Sequence, residues 1–298
     1  TTHQTAELAA ELLGVSAGDV IVCSTGLIGT GDEVFRGKVL DGVRAAVPAL
    51  SSQGGDDAAL AIMTTDSVPK QALVVGDGWS IGGMAKGAGM LAPALATMLV
   101  VITTDAVLTP DQLDEHLRAA TSVSFDRLDS DGCTSTNDQV TLLASGASGI
   151  APDPQAFRAA LTELSTSLAR QLMADAEGAS HEVLVEVIGA ATEADAVEVG
   201  RSVARNNLFK AAVFGNDANW GRVLAAIGTT AAAFDPYDVD VWMNGVRVCT
   251  AGGPDRPRED VDLTPRELLL TIDLRVGDAT ATIMTNDLTH DYVHENSA

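Results

Sequence analysis

The stretch Gly82–Asp105, GGMAKGAGMLAPALATMLVVITTD, decides how the chain reads. Its first half is rich in Gly, which permits close backbone approach and dihedrals closed to other residues. Pro93 interrupts it, Ala96-Thr97 follow, and the apolar run Met98–Thr104 then reads as a buried strand. A small residue before Thr at the edge of a buried strand suits self-cleavage. The Thr97 hydroxyl attacks the Ala96 carbonyl, and water opens the resulting ester. The freed Thr97 carries its own base, an α-amine with a reference pKa of about 7.7–8.0, beside its hydroxyl. The same residues also fit a plain glycine-rich loop ahead of a core strand, because short motifs are weakly specific.

Outward from this stretch, strands and helices alternate, which predicts an α/β fold. Towards the N terminus, Thr5–Leu13 reads as a helix stopped by Gly14, Asp19–Ser24 as a buried strand and Val34–Val47 as a helix. Gln71–Val75 reads as another strand. Downstream, Thr109, Pro110 and Gln112 form a capping-box signal. Asp153-Pro154 repeats the punctuation before a long helix whose Phe157, Leu161, Leu164, Leu168 and Leu172 share one face. After Gly178 the pattern changes. His181–Ile188 alternates as a half-buried strand, and a helix runs from Glu193 to about Leu208. Val239–Met243 and Val246–Cys249 flank Asn244-Gly245, a type I′ hairpin signal. Leu268–Arg275 and Thr280–Thr285 flank Gly277-Asp278, a second hairpin candidate. The change near residues 178–181 predicts two domains, 1–178 with the nucleophile and 179–298.

The 298 residues are 46% apolar, enough for a substantial core. With 41 acidic and 18 basic side chains the formal charge is −23, which argues against nucleic acid and anionic membrane surfaces as partners. No apolar run reaches the roughly 20 residues of a membrane span. The opening Thr1-Thr2-His3-Gln4 lacks the layout of a signal peptide. Cys23, Cys133 and Cys249 are far apart and odd in number, against a secreted disulfide scaffold. The expected compartment is the cytoplasm.

Other candidate sites compete. Gly78–Gly82 matches GxSxG, but more glycines follow Ser80 where a nucleophile elbow needs a helix. Lys86 in AKGAG suggests a phosphate cradle, yet GxxxxGK[ST] is absent, and a lone lysine is more often a surface residue. Cys23-Ser24-Thr25-Gly26 could hold an oxyanion just past a strand, or be an ordinary turn. Phe125–Asp138 is Asp-rich but lacks EF-hand spacing, so a polar loop or site wall is expected. Turn chemistry accounts for Gly215–Arg222. His290 and His294 stand four apart near Asp287, but no helical pattern or third ligand supports a metal. No metal is expected.

Taken together, several of these stretches resemble the glutamate N-acetyltransferase, or ornithine acetyltransferase, family. The carrying segments are CSTGLIG (Cys23–Gly29), IMTTDSVPK (Ile62–Lys70), GGMAKGAGMLAPALATML (Gly82–Leu99), TSTND (Thr134–Asp138), ADAEG (Ala174–Gly178), GNDANWGRV (Gly215–Val223) and HENSA (His294–Ala298). They are collinear and span nearly the whole chain, which is far more specific than any one motif. The resemblance implies an αββα-type sandwich with a smaller C-terminal α/β domain. It also implies an N-terminal-nucleophile enzyme cleaved between Ala96 and Thr97. Thr97 becomes the nucleophile and Thr25 and Gly26 the oxyanion pair. Thr64, Lys86, Thr97, Glu177 and Asn296 bind substrate. The family's sizeable N-terminal portion and its last few residues have no counterpart here.

The activity so implied is ping-pong acyl transfer from N-acetylornithine to glutamate through acetyl-Thr97, with no cofactor. It would serve arginine biosynthesis or a duplicate in secondary metabolism. The two fragments would stay together as a heterotetramer, two of each. Lys86 suits a substrate carboxylate and Glu177 an ammonium, since opposite charges attract strongly in a partly desolvated cleft. Two other readings compete. An N-terminal-nucleophile amidohydrolase or aminopeptidase would pass the acyl group to water. A non-catalytic metabolite-binding protein would keep the Ala96–Thr97 bond intact.

Overall fold

Helices begin where the sequence supplies caps. The structure, a computed structural model, describes residues 1–26, 31–92, 98–134 and 137–297. Helix α1 (Thr2–Leu13) ends at Gly14 in the left-handed conformation. Helix α2 (Glu33–Ala46) starts at Asp32, whose carboxylate accepts from the Phe35 N–H. Helix α3 (Gly55–Ala61) follows. Helices α1 and α2 pack on each other and bury only Ala10 between them.

The first sheet holds β1 (Lys70–Val75), β2 (Ser80–Lys86), β3 (Leu99–Thr104) and β4 (Gln139–Ala144), in that order. Neighbours are antiparallel until β3 and β4, which run parallel. A parallel step needs a crossover, and α4 (Pro110–Thr121) is part of it. The expected capping box of Thr109 and Gln112 is present. Helix α5 (Pro154–Ala174) lays Phe157, Leu161, Leu164, Leu168 and Leu172, all fully buried, into the core beside β1 and β2. Each such side chain contributes about 1.5–3 kcal/mol. The other face is only partly covered, by α3 near β2. Leu73 and Val75 there are 68% and 74% exposed.

The second sheet begins with β5 (Glu182–Ala190). Helices α6 (Glu193–Ala204), α7 (Asn207–Phe214) and α8 (Trp220–Ile227) follow. Strands β6 (Asp240–Met243), β7 (Val246–Thr250), β8 (Gly253–Pro254), β9 (Glu267–Asp273) and β10 (Ala279–Asn286) complete it, before helix α9 (His290–Glu295). The sheet order is β10-β5-β9-β6-β7-β8. The predicted α/β class holds: two sheets with helices packed on them. Asn244 and Gly245 make the expected hairpin turn, with φ of 47° and 80°.

Three local expectations are corrected. Asp19–Ser24 is no strand: Ser16 caps a 3-10 turn over Ala17–Asp19, and residues 20–26 run on without pairing to a sheet. Gly277-Asp278 makes no hairpin, because β5 lies between β9 and β10. The connection instead crosses the end of β5, where the Val276 and Gly277 N–H groups donate to the Gly189 carbonyl. The helix from Glu193 stops at Ala204, and Asn206 caps α7 separately.

The loop between α4 and β4 ties the two halves together: Leu128 bridges Met284 of β10, Asp129 pairs with Arg205 at 2.7 Å, and Arg127 pairs with Glu193. Among the described residues, no helix is long and apolar enough to cross a membrane.

Candidate active site

Strand β2 ends by carrying Lys86 inward, and the chain then turns at Gly87. The Lys86 side chain is 1% exposed, which corrects the reading of a surface lysine. An alternating strand sends every second side chain to one face: Ile81 and Ala85 point to the α5 core, while Lys86 falls on the opposite face with Gly82 and Met84 and is buried at its end. Its ammonium donates to Thr64 Oγ1 at 3.1 Å. Burial lowers its pKa below the usual lysine range, partly offset by the charges of Asp66, Asp138 and Glu177.

A network of ion pairs supports this lysine from behind. Asp66 is buried and accepts from the Gly87 N–H at 2.7 Å and the Lys70 ammonium at 2.6 Å. Its other oxygen accepts from the Thr64 N–H at 3.0 Å. Burial works to raise its pKa, but these donors outweigh it and hold the carboxyl below the usual range. Lys70, fully buried, also donates to Asp175 at 2.6 Å. Asp175 in turn receives the Ser67 N–H at 2.9 Å and the Ser67 hydroxyl. Asp66 therefore fixes both the backbone beside Lys86 and the backbone of Thr64. Sequence reasoning quoted these residues inside motifs but assigned them no role. The Asp66–Lys70 spacing was visible, but Asp175, 105 residues from Lys70, was not.

Glu177 follows α5. Its N–H donates to the Ala88 carbonyl at 2.9 Å, which docks it against the turn after β2. Its carboxylate lies over Gly89, where a Cβ would overlap it. Asn296, after α9, donates to Glu177 Oε2 at 3.1 Å. The structure thus joins Lys86 to Thr64 and Glu177 to Asn296 on the same turn after β2. Lys86 also senses the Glu177 charge.

The third part of the site lies at the heads of β3 and β4. Asp138 Oδ1 accepts from the Met98 N–H at 2.9 Å, and burial pushes its carboxyl up to about 6 against Met98 and Lys86. The neighbouring Asn137 donates from Nδ2 to the Ser24 carbonyl at 2.9 Å. Half-buried Thr25 and exposed Gly26 follow directly. Ala96 and Thr97 lie outside the described residues, as do Leu27–Thr30, Ser135 and Thr136.

The competing sites resolve differently. Ser80 opens strand β2, so the GxSxG match meets no helix. Asp129, Asp131 and Asp138 point to separate partners: Arg205, the Met90 N–H and the Met98 N–H. Asp287 accepts from the His181 ring at 2.8 Å and from the Ser180 and His181 N–H groups. His290 stacks edge-on against Phe214. Among the described residues, no group of three or more His, Cys, Asp and Glu could hold a metal ion.

Comparison with known proteins is consistent with this arrangement. The ArgJ family matches residues 1–298. The arginine biosynthesis bifunctional protein ArgJ of Streptomyces coelicolor is 61% identical over 297 residues, covering 100% of this chain and 77% of that protein. The protein of the same name from Mycobacterium leprae is 55% identical, over 99% of this chain and 74% of its own length. A crystal structure of the arginine biosynthesis bifunctional protein ArgJ from Bacillus halodurans superposes with a TM-score of 0.61 at 31% identity. It covers 65% of this chain and 96% of that one. With the family matched from end to end and relatives identical at more than half their aligned positions, the chain belongs to the ArgJ family.

Proposed function

We propose that this chain is a glutamate N-acetyltransferase that moves an acetyl group from N-acetylornithine to glutamate, after cleaving itself between Ala96 and Thr97. The observation that carries the reading is the pairing of opposite charges on one turn. Lys86 with Thr64 stands on one side of that turn, and Glu177 with Asn296 on the other. An α-amino acid that also bears an acylated amine offers a carboxylate and an ammonium to such a pair.

In self-cleavage the Thr97 hydroxyl attacks the Ala96 carbonyl carbon. The peptide C–N bond breaks, its nitrogen takes the proton, and an ester forms. Water hydrolyses that ester, leaving an Ala96 carboxylate and a free Thr97 amine. In transfer the same hydroxyl attacks the acetyl carbonyl and gives its proton to the adjacent amine. Thr25 and Gly26 donate to the developing oxyanion. Ornithine leaves with the proton, and acetyl-Thr97 remains. The glutamate amine then attacks the ester carbonyl, the acyl C–O bond to Thr97 breaks, the amine's proton passes to the Thr97 oxygen, and N-acetylglutamate leaves. Lys86 holds a substrate carboxylate and Glu177 an ammonium, each in a site dry enough to strengthen the attraction.

Residues 1–178 form the nucleophile-bearing unit and 179–298 the C-terminal domain. The fragments remain assembled as a heterotetramer in the cytoplasm, which native mass and cell fractionation test. The central experiment uses Thr97→Ala and Thr97→Ser. Denaturing gels and intact mass report cleavage and acetylation, and acetylornithine–glutamate exchange reports turnover. Thr97→Ala should remain one chain and inactive, while Thr97→Ser keeps part of both activities. A cleaved, active Thr97→Ala protein ends this mechanism. Release of free acetate in place of N-acetylglutamate would make the protein a hydrolase.

A further inference from the structure

Two adjacent side chains at the head of β4 grip the two segments that the reaction must align. Asn137 Nδ2 donates to the Ser24 carbonyl at 2.9 Å, one residue before Thr25 and Gly26. Asp138 Oδ1 accepts from the Met98 N–H at 2.9 Å. That nitrogen belongs to the peptide joining Thr97 to Met98. The next residue, Gln139, donates its N–H to the Met98 carbonyl at 3.0 Å, so Met98 is held on both of its peptide groups. From Leu99 onward β3 is locked to β4 in a parallel register beginning at Gln139. The Ser24 segment belongs to neither sheet.

We propose that Asn137 and Asp138 are a pair of positioning residues that set the oxyanion donors of Thr25 and Gly26 against the nucleophile Thr97. The inference rests on the acyl-transfer reading and deepens it. Thr25 and Gly26 sit on a segment without sheet pairing, about 70 residues from Thr97 in sequence. Something must fix their separation, because oxyanion donors act only within about 2.7–3.1 Å of the oxygen they stabilise. A misplacement of about 1 Å can cost about a hundredfold in rate. A rigid strand head with neighbouring side chains on both segments supplies that fixed spacing. Asp138 works through an acceptor oxygen on a backbone N–H, a role an amide oxygen also fills. Asn137 works through a donor on a backbone carbonyl, which Ala and Asp both lack.

The test compares Asn137→Ala, Asp138→Ala and Asp138→Asn with the parent protein. Readouts are the self-cleavage rate on denaturing gels, kcat and KM of the cleaved protein for both substrates, and the thermal melting curve. Each Ala variant should cleave more slowly and lose about 10–100-fold in kcat, with KM within about twofold. Asp138→Asn should recover most of what Asp138→Ala loses. Losses confined to KM, or Ala variants equal to the parent, overturn the proposal. Equal losses for Asp138→Ala and Asp138→Asn would assign Asp138 a charge role and also overturn it. If Asp138→Ala fails to fold, Asn137→Ala and Asp138→Asn decide. The first should lose kcat alone and the second should keep most of it. A parent protein that neither cleaves nor exchanges acetyl removes the functional reading and the clamp with it. An active parent with parent-like variants removes the clamp alone.

Discussion

At the residue scale, Lys86 shows how burial changes a role. A lone lysine in a glycine-rich loop reads as solvated, yet here the side chain is almost fully covered. A buried ammonium is costly unless nearby groups compensate. Thr64 and the charges of Asp66, Asp138 and Glu177 do so in part, and burial still lowers its pKa. The sign follows. As pH rises Lys86 loses its proton earlier than an ordinary lysine, so carboxylate binding weakens earlier too. KM for glutamate should climb in the alkaline range for the parent protein, and Lys86→Arg should delay the climb. Lys86→Met should raise KM by about 10–100-fold near neutral pH. Steady-state kinetics across pH check both, and a flat KM profile in the parent would detach Lys86 from the substrate. Because Lys86 is buried, Met rather than Ala is the informative substitution: it fills the volume that Ala would leave empty.

Among the elements, helix α9 depends on a single glycine. Gly178 adopts φ +62°, and a Cβ there would overlap the backbone of Asp291 and Tyr292. The Thr289 hydroxyl donates to the Gly178 carbonyl at 2.5 Å and also caps α9 by accepting from the Tyr292 N–H. Helix α9 therefore packs directly on the residue after Glu177, and Asn296 reaches Glu177 from its end. Gly178→Ala should strain this seat by about 1–3 kcal/mol. It should raise KM several-fold with a smaller change in kcat, read from kinetics beside a melting curve. Unchanged KM would separate α9 from substrate binding. The spacing ADAEG was legible in the sequence. That its glycine faces the last helix was not, because the contact spans more than 100 residues.

For the whole molecule, Asp129 is one of the residues that tie the two halves together. This carboxylate is fully buried, and burial raises its pKa although Arg205 opposes the shift at 2.7 Å. Arg205→Ala removes the nearest cation and leaves only Arg201 and Lys210 facing the buried carboxylate; because Arg205 is itself partly solvent-exposed, the cost should be about 1–2 kcal/mol. The loss should be largest at high pH and shrink as Asp129 takes up a proton. Chemical denaturation at pH 5 and pH 8 measures it, and equal losses at both would remove Asp129 as the cause. The same molecule shows where sequence reading succeeds. Caps at Thr109 and Asp153, the α5 stripe and the Asn244-Gly245 turn are decided within a few residues, so the sequence alone determined them. Their energetics involve neighbouring backbone groups and one helical face. Family membership was legible for a different reason: collinear motifs survive without any knowledge of their contacts. Tertiary structure alone decided that Asp19–Ser24 is no strand and that β5 parts β9 from β10. It alone joined Lys70 to Asp175 and Asn137 to Ser24. Each depends on partners about 80 to more than 100 residues away. A strand exists only when another strand pairs with it, and a buried charge is tolerated only where its counter-charge arrives.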